Sequence, residues 1–195
     1  PHSFAGVAKE TFAEIEEATI SSRFPNVELT YKNQRDEEVK FDEEMIISGD
    51  SSFFKIFDFE IIKGNSENLF TKGNEIVVTE ELSKRYFGGE DPLGKLIRIG
   101  ENLEFTVAAV IADIPLNSHF KFSAIVSNTG FPFLQQENFT GFSAFTYFKL
   151  REGTDPAVLE AKIPQLVDKY AAGQIERELG KSWEEYRNAG NGYRY

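Results

Sequence analysis

The hydrophobic residues in the middle of the chain follow helical spacing first and strand spacing afterwards. Phe53, Phe54 and Phe57 share one helical face. Asp50 or Ser51 is a suitable cap for that helix, because a side-chain oxygen there accepts unpaired amide hydrogens of the first turn. The pattern predicts a short helix with an aromatic face.

Gly64 closes this segment, at a position where the chain is expected to need a positive φ angle. The apolar run 76–78 then predicts a strand, and Thr79 is expected to cap a helix that ends at Gly88. The residues expected on the buried face of this helix are Leu82 and either Tyr86 or Phe87.

Three strands are predicted after this helix, because apolar residues alternate there with other residues. A turn at residues 91–94, in which Pro92 presets φ, leads into them. The positions expected to be buried are Ile97, Ile99, Phe105, Val107, Ala109, Ile111, Phe120, Phe122, Ala124 and Val126.

The residues before this segment predict a helix and further strands. Residues 1–20 carry apolar side chains at helical spacing and predict an amphipathic helix. After a break at residues 24–26, residues 27–31 and 39–41 alternate around a polar turn and predict a hairpin. Residues 45–47 predict another short strand.

The last third of the chain predicts one strand and two helices. Residues 145–150 form the strand, and Asp155 with Pro156 begins a helix. Pro164 is expected to kink or split that helix, because proline lacks the amide hydrogen. The residues that mark the second helix are Ile175, Leu179, Trp183 and Tyr186.

Together these elements predict an α+β fold with two lobes. The first lobe, residues 1–126, is expected to carry a mixed or antiparallel sheet with helices packed on one side. The composition changes at residue 127, where a poorly periodic segment begins that is rich in Asn, Gly, Gln and Phe. Residues 127–195 are therefore expected to form a second, smaller α+β lobe.

Composition narrows the possible functions. Hydrophobic residues make up 41% of the 195 residues, which is ample for a packed core. The formal net charge of -11 repels phosphate backbones, so no nucleic-acid partner is expected. Acidic pairs such as Glu43–Glu44 are expected to be solvated. The chain has no cysteine, which excludes disulfides and thiol catalysis, and no apolar run long enough for a membrane helix.

Residues 89–96 come close to the spacing of a phosphate-binding loop. Leu96 stands where such a loop needs the hydroxyl that holds magnesium. A helix precedes the segment and a strand follows it, whereas a phosphate loop follows a strand and opens a helix. We interpret the segment as a structural turn.

The candidates for catalysis are few. His119 stands beside Ser118 and close to Asp113 in sequence, but a catalytic triad needs a shaped site and an oxyanion hole. The other histidine, His2, is expected at a frayed end. Carboxylates are plentiful, yet no pair is singled out for glycoside cleavage. We therefore assign no catalytic, cofactor-binding or metal-binding residue, and expect no enzyme and no cofactor.

A Phe-rich stretch after residue 127 has two interpretations. It comprises Phe131, Phe133, Leu134, Phe139 and Phe142. These residues either pack the core of the second lobe or form an exposed apolar patch for a partner.

Several motifs follow one another in a fixed order over roughly residues 53–126. They are Phe53-Phe54-x-x-Phe57, Gly64, the run from Ile76 to Glu80, Tyr86-Phe87-Gly88, Asp91-Pro92-x-Gly94-Lys95 and Val107-x-x-Val110-x-x-Asp113-x-Pro115. This order resembles the MacB-type periplasmic core domain of FtsX-like ABC-transporter permeases.

The resemblance implies an extracytoplasmic domain held between the first and second membrane helices of a permease. The permease would lie in the bacterial inner membrane with this domain facing the periplasm. The domain would transmit ATP-driven conformational change to an extracytoplasmic cargo or partner. The implied partners are a cytoplasmic ATPase subunit or domain, a second permease copy, and a periplasmic adaptor or cargo. We expect about 20 apolar residues upstream of Pro1 and three such spans beyond Tyr195.

Two other function classes stay open at this point. One is a periplasmic sensor module that binds a peptide or antibiotic, which a deep pocket with convergent polar groups would favour. The other is a secreted hydrolase that uses carboxylates, which a clefted carboxylate pair with perturbed pKa values would favour.

Overall fold

The computed structural model describes residues 2–141 and 144–189. The helices are α1 (Phe4–Thr11), α2 (Phe53–Ile56), α3 (Glu80–Phe87), α4 (Pro156–Leu179) and α5 (Trp183–Asn188). The strands are β1 (Ile15–Ser21), β2 (Arg23–Lys32), β3 (Glu38–Gly49), β4 (Ile61–Gly64), β5 (Glu75–Thr79), β6 (Leu96–Ile99), β7 (Leu103–Ile111), β8 (Ala124–Ser127) and β9 (Phe145–Leu150). The predicted α+β class is confirmed.

The chain forms two compact units, residues 1–19 with 136–195 and residues 20–135. This division differs from the predicted one into 1–126 and 127–195. The first 19 residues join the C-terminal segment because β1 pairs with β9. The segment that follows residue 126 stays with the central unit because Phe131 and Leu134 enter its core.

The unit of residues 20–135 is built on one mixed sheet in the order β4-β7-β5-β8-β3-β2-β6. The β3–β8 and β5–β7 pairs are parallel, and the other pairs are antiparallel. Strand β6 also pairs with β7, from Leu96↔Thr106 to Ile99↔Leu103. Following the pairings from β6 through β2, β3, β8, β5 and β7 therefore leads back to β6.

The main core lies against one face of this sheet. Alternate residues of β2, β5, β6 and β8 enter it, as the spacing predicts for a half-buried strand. Helix α3 closes the core with Leu82, Tyr86 and Phe87. The strand residues in the core include Leu29, Tyr31, Ile46, Ile76, Val78, Ile97, Ile99, Phe105, Val107, Ala124 and Val126.

A second aromatic cluster covers the opposite face. Phe53 of α2 is fully buried, and its ring centroid lies 4.8 Å from that of Phe57 and 5.6 Å from that of Phe120. A Cβ atom added to Gly49 would lie 3.2 Å from Phe53 and 3.4 Å from Ile125, whose side chain alternates with the core residues of β8. Helices α2 and α3 therefore pack on opposite faces of the sheet, and its central strands β5 and β8 are buried on both faces.

The predicted caps and turns of this unit are confirmed. Asp50 Oδ1 accepts hydrogen bonds from the amides of Ser52 and Phe53. The Thr79 side chain accepts from the amide of Leu82 and so caps α3. Gly88 has φ 58° and ends that helix.

Strand β2 runs through the break predicted at residues 24–26. Asn26 takes φ 52°, and the register with β3 skips from Pro25↔Met45 to Val27↔Glu43. Proline is tolerated here because β2 pairs with β6 only from Leu29 onwards. The break is therefore a local irregularity within a strand.

The predicted helix over residues 1–20 is wrong in its second half. Helix α1 ends at Thr11, and Ile15–Ser21 is strand β1. The apolar residues at helical spacing belong to a helix in the first half and to a strand in the second half. Residues 15–21 form a strand because they pair with β9. His2 is buried rather than frayed, with Nε2 2.6 Å from the carbonyl oxygen of Gln136.

Helix α4 is not split at Pro164, and the predicted start of a second helix near Ile175 is also wrong. Pro164 lies on the exposed side of one continuous helix, so water can satisfy the carbonyl that proline leaves unpaired. Gly180 ends α4 in a left-handed conformation, with φ 63°. Ser182 then caps α5 in a reciprocal capping box with Glu185.

We expect Gly64→Ala to destabilise the unit of residues 20–135. Gly64 has φ 98°, and a Cβ atom there would lie 2.6 Å from the backbone oxygen of Ala108. The loss in the free energy of unfolding should be about 2–3 kcal/mol, measured by urea denaturation. Gly73→Ala is the control, because nothing lies within 4 Å of an added Cβ atom. Equal effects of the two substitutions would contradict this account.

Candidate functional site

Glu43 is a nearly fully buried carboxylate on β3, with 3% of its side chain exposed. Arg85 of α3 donates from Nη2 to both of its oxygens, at 2.9 and 2.8 Å. The hydroxyl of Tyr86 donates to Glu43 Oε1 at 2.9 Å. A buried charge is tolerated only when it is paired and hydrogen-bonded, and these two neighbours on α3 meet that need.

Tyr86 is held in its protonated form. Burial raises the pKa of the Tyr86 phenol well above its usual value, and the Glu43 carboxylate raises it further. The hydroxyl therefore remains a donor to Glu43 at every physiological pH. The edge of the Tyr86 ring also packs against Phe41, with centroids 5.2 Å apart, and the Arg85 guanidinium lies 5.5 Å from the centre of the Phe41 ring.

This cluster opens into a cleft of about 560 Å³, called the acidic cleft below. Its lining residues include Glu43, Glu44, Glu81, Arg85, Asp113 and Lys121. The Glu43–Glu44 pair is predicted from the sequence to be solvated, and for Glu43 this prediction is wrong. Arg85 and Tyr86 carry no sequence signal that would have identified them as its partners, because 42 residues separate Glu43 from Arg85.

The structure holds the candidate triad residues in separate contacts. Asp113 Oδ1 accepts from the amide of Glu81 at 2.8 Å, at the start of α3. Ser118 Oγ accepts from the amide of Phe120 at 3.1 Å. The ring of His119 lies 4.0 Å from that of Phe120. These contacts give no support to nucleophilic catalysis at this loop.

The carboxylates also give no support to a hydrolase. Glu14, Glu90 and Glu185 have lowered pKa values, chiefly because of hydrogen bonds from Lys162, Lys95 and the Ser182 amide, respectively. A carboxylic acid that donates a proton near neutral pH needs a raised pKa. Within the described residues, no group of three His, Asp or Glu side chains is placed to hold a metal ion.

The segment that mimics a phosphate-binding loop is a turn. The amide of Gly94 donates to the Val107 carbonyl at 2.9 Å, and β6 follows. Lys95 Nζ donates to Glu90 at 2.9 Å and so already contacts a carboxylate of the same loop. The structural interpretation of this motif agrees with these contacts.

The Phe-rich stretch is divided between the two units. Phe131 packs between Phe24 and Phe105 in the unit of residues 20–135, with centroid distances of 4.8 and 5.8 Å. Phe139 stacks on Tyr170 in the other unit, at 4.9 Å. Phe133 is exposed, and Phe142 lies outside the described residues. Core packing therefore explains Phe131 and Phe139, although they belong to different cores.

We expect Arg85→Gln to cost about 2–4 kcal/mol of unfolding free energy, because it leaves the buried Glu43 charge unpaired. The double variant Glu43→Gln with Arg85→Gln should recover at least half of this loss, since it removes the orphaned charge. Both would be measured by urea denaturation.

Lys84→Gln is the matched control for this cycle. Lys84 is the neighbouring cation on α3, and its pair with Glu80 is exposed. The control should stay within about 0.5 kcal/mol of the unsubstituted chain. A double variant that is less stable than Arg85→Gln would show that Glu43 does not depend on Arg85.

None of the helices in the described ranges has the length and apolar character required to cross a bilayer. A search of curated proteins found no match to this chain. Solved structures do resemble it at low identity, which is informative for the fold.

Three of these structures come from transporter proteins. A domain assigned to a permease protein from Porphyromonas gingivalis is 20% identical, with a TM-score of 0.71, and the match covers 85% of this chain and 75% of that one. The periplasmic region of MacB from Actinobacillus actinomycetemcomitans is 16% identical, with a TM-score of 0.60 and coverage of 99% and 83%. The extracellular domain of the noncanonical ABC-type transporter YknZ from Gram-positive bacteria is 14% identical, with a TM-score of 0.53 and coverage of 92% and 84%.

A family model gives the assignment. The model of the MacB-like periplasmic core domain matches residues 3–166, which is most of the chain and includes every motif that carried the resemblance. The chain therefore belongs to the MacB-like periplasmic core domain family and is a periplasmic domain of an ABC-transporter permease.

Proposed function

We propose that this domain transmits ATP-driven conformational change to a cargo or partner on the periplasmic side. The cytoplasmic ATPase would act through the membrane helices of the permease, and a second permease copy would carry the same domain. The proposed role of the domain is mechanical rather than catalytic.

The observation that carries this proposal is the construction of the unit of residues 20–135. Its strand pairings lead from β6 around to β6 again, and the central strands β5 and β8 are buried on both faces. Close-packed interiors have low compressibility and pass a displacement on rather than absorbing it. A body of this kind moves as one piece when a connected helix moves.

The unit of residues 1–19 and 136–195 has its own packing and its own long element. Helix α4 has 24 residues, which corresponds to about 36 Å at the usual rise per residue. Its buried side chains are Leu159, Leu166, Val167, Ala171, Gln174 and Ile175. Gln174 Oε1 accepts from the amide of Phe139 at 2.6 Å and thereby ties the helix to the preceding segment. A long, anchored helix is suited to passing on movement.

The test uses the complete permease with its ATPase in lipid nanodiscs. Glu101 and Glu160 are exposed positions, one in each unit, and each would be replaced by a spin-labelled cysteine in a separate variant. In each variant, pulsed electron resonance measures the distance between the label in one permease copy and the same label in the other. We expect this distance distribution to change when ATP is trapped. An ATPase that cannot hydrolyse ATP should abolish cycling between the two distributions.

A pair of labels within one unit is the control for this experiment. Glu67 and Glu101 both belong to the unit of residues 20–135, and their distance should stay constant in all nucleotide states. If the distances between copies are also constant in every state, the transmission role is wrong, although membership of the family would be unaffected.

A further inference from the structure

Two buried serines lie opposite each other at the end of the ladder between β2 and β3. The amide of Ser22 donates to Ser48 Oγ at 3.0 Å, and the amide of Ser48 donates to the Ser22 carbonyl at 2.9 Å. Each serine is two residues from a side chain that packs in or against the main core, Phe24 on β2 and Ile46 on β3. Because residues two apart in a strand point to the same face, both hydroxyls extend the core face of the sheet beyond its apolar part.

Asn128 reaches the same place from the other side of β3. It directly follows β8, and β8 pairs with β3 on the side away from β2. Its Nδ2 nevertheless donates to the carbonyl of Ile20, two residues before Ser22, at 3.4 Å. Neighbouring strands are about 4.8 Å apart, so this side chain must cross the end of β3 to make the contact. The amide group of Asn128 therefore lies beside the two serines.

Two polar atoms at this place have no hydrogen-bond partner within the described residues. They are Ser22 Oγ and Asn128 Oδ1, and the two residues are 2% and 7% exposed. A hydroxyl can donate, whereas an amide oxygen only accepts, so the two groups complement each other. A buried polar group without a partner is unfavourable, and such groups in folded proteins are almost always bonded to protein or to ordered water.

The chemistry of these groups fits water better than an ion. None of the three side chains carries a charge, and no group of three His, Asp or Glu side chains in the described ranges is placed to hold a metal ion. The ligand must accept from a hydroxyl and donate to an amide oxygen, which water does. Buried water molecules typically make about three hydrogen bonds. Ser48 supplies the third group, because its hydroxyl accepts from the Ser22 amide and can still donate its hydrogen.

We propose that Ser22, Ser48 and Asn128 form a buried binding site for one water molecule. The water accepts hydrogen bonds from the two hydroxyls and donates one to Asn128 Oδ1. Each of the two unpartnered atoms thereby gains the partner that it lacks. The site does not depend on the transmission role.

The bound water would stabilise the place where the chain enters and leaves this unit. Ile20 and Gln135 are the first and last residues of the unit. Asn128 contacts both, because its Nδ2 donates to the Ile20 carbonyl and its own carbonyl accepts from Gln135 Nε2 at 3.0 Å. A water that fixes the orientation of the Asn128 amide therefore helps to hold the two ends of the unit together.

A high-resolution crystal structure of this chain tests the site directly. We expect one water oxygen within about 3.2 Å of both Ser22 Oγ and Asn128 Oδ1. A direct hydrogen bond between these two side chains, or the absence of a water peak beside them, would overturn the proposal.

The second test compares the chain with its Ser22→Ala variant in solution. Oxygen-17 relaxation dispersion of water counts the molecules that a protein holds for longer than its own tumbling time. We expect the amplitude to fall by about one water molecule, because alanine removes the hydroxyl that binds it. An unchanged amplitude would show that Ser22 holds no water. If the variant does not fold, the crystal structure of the unsubstituted chain decides the question alone.

Ser66→Ala is the matched control. Ser66 belongs to the same unit and is exposed, so the loss of its hydroxyl should leave the amplitude unchanged. An equal fall in both variants would contradict the assignment of the lost water molecule to Ser22.

Discussion

The pairing of strand β7 is the constraint on which the central unit depends. This strand exchanges hydrogen bonds with β4, β5 and β6, so three other strands take their register from it. Neighbouring backbone must approach it closely: an added Cβ atom at Gly64 would meet Ala108 and Ala109, and one at Gly130 would lie 2.4 Å from the Phe105 ring. A register shift of one residue in β7 would turn the core side chains of that strand to the opposite face of the sheet.

Local signals in the sequence were sufficient where neighbours in sequence supply the interactions. Helix α3 is an example, because its cap at Thr79, its buried Leu82 and its end at Gly88 all lie within ten residues. Signals failed where distant pairing decides the structure. Strand β1 has a spacing that suits a helix as well, and only β9, more than 120 residues later, selects the strand. Exposure of Pro164 likewise depends on the packing of a complete helix.

The same distinction applies to the chemistry of the surface. Each acidic residue alone is indistinguishable from a solvated one, so the buried state of Glu43 became visible only when β3 and α3 were brought together. The sequence order was enough to identify the family because its motifs are local and its spacing is ordered.

The centre of the sheet in the central unit is packed on both faces, and this limits where recognition can occur. Val77 and Ile125 on one face and Ile76 and Val126 on the other are buried, so β5 and β8 are closed to a partner. Accessible positions lie on other strands, such as Leu96 of β6, which is 52% exposed, and in the turns. In the proposed function, the buried central strands would supply stiffness and the accessible positions would be left for recognition, so one scaffold could serve different partners.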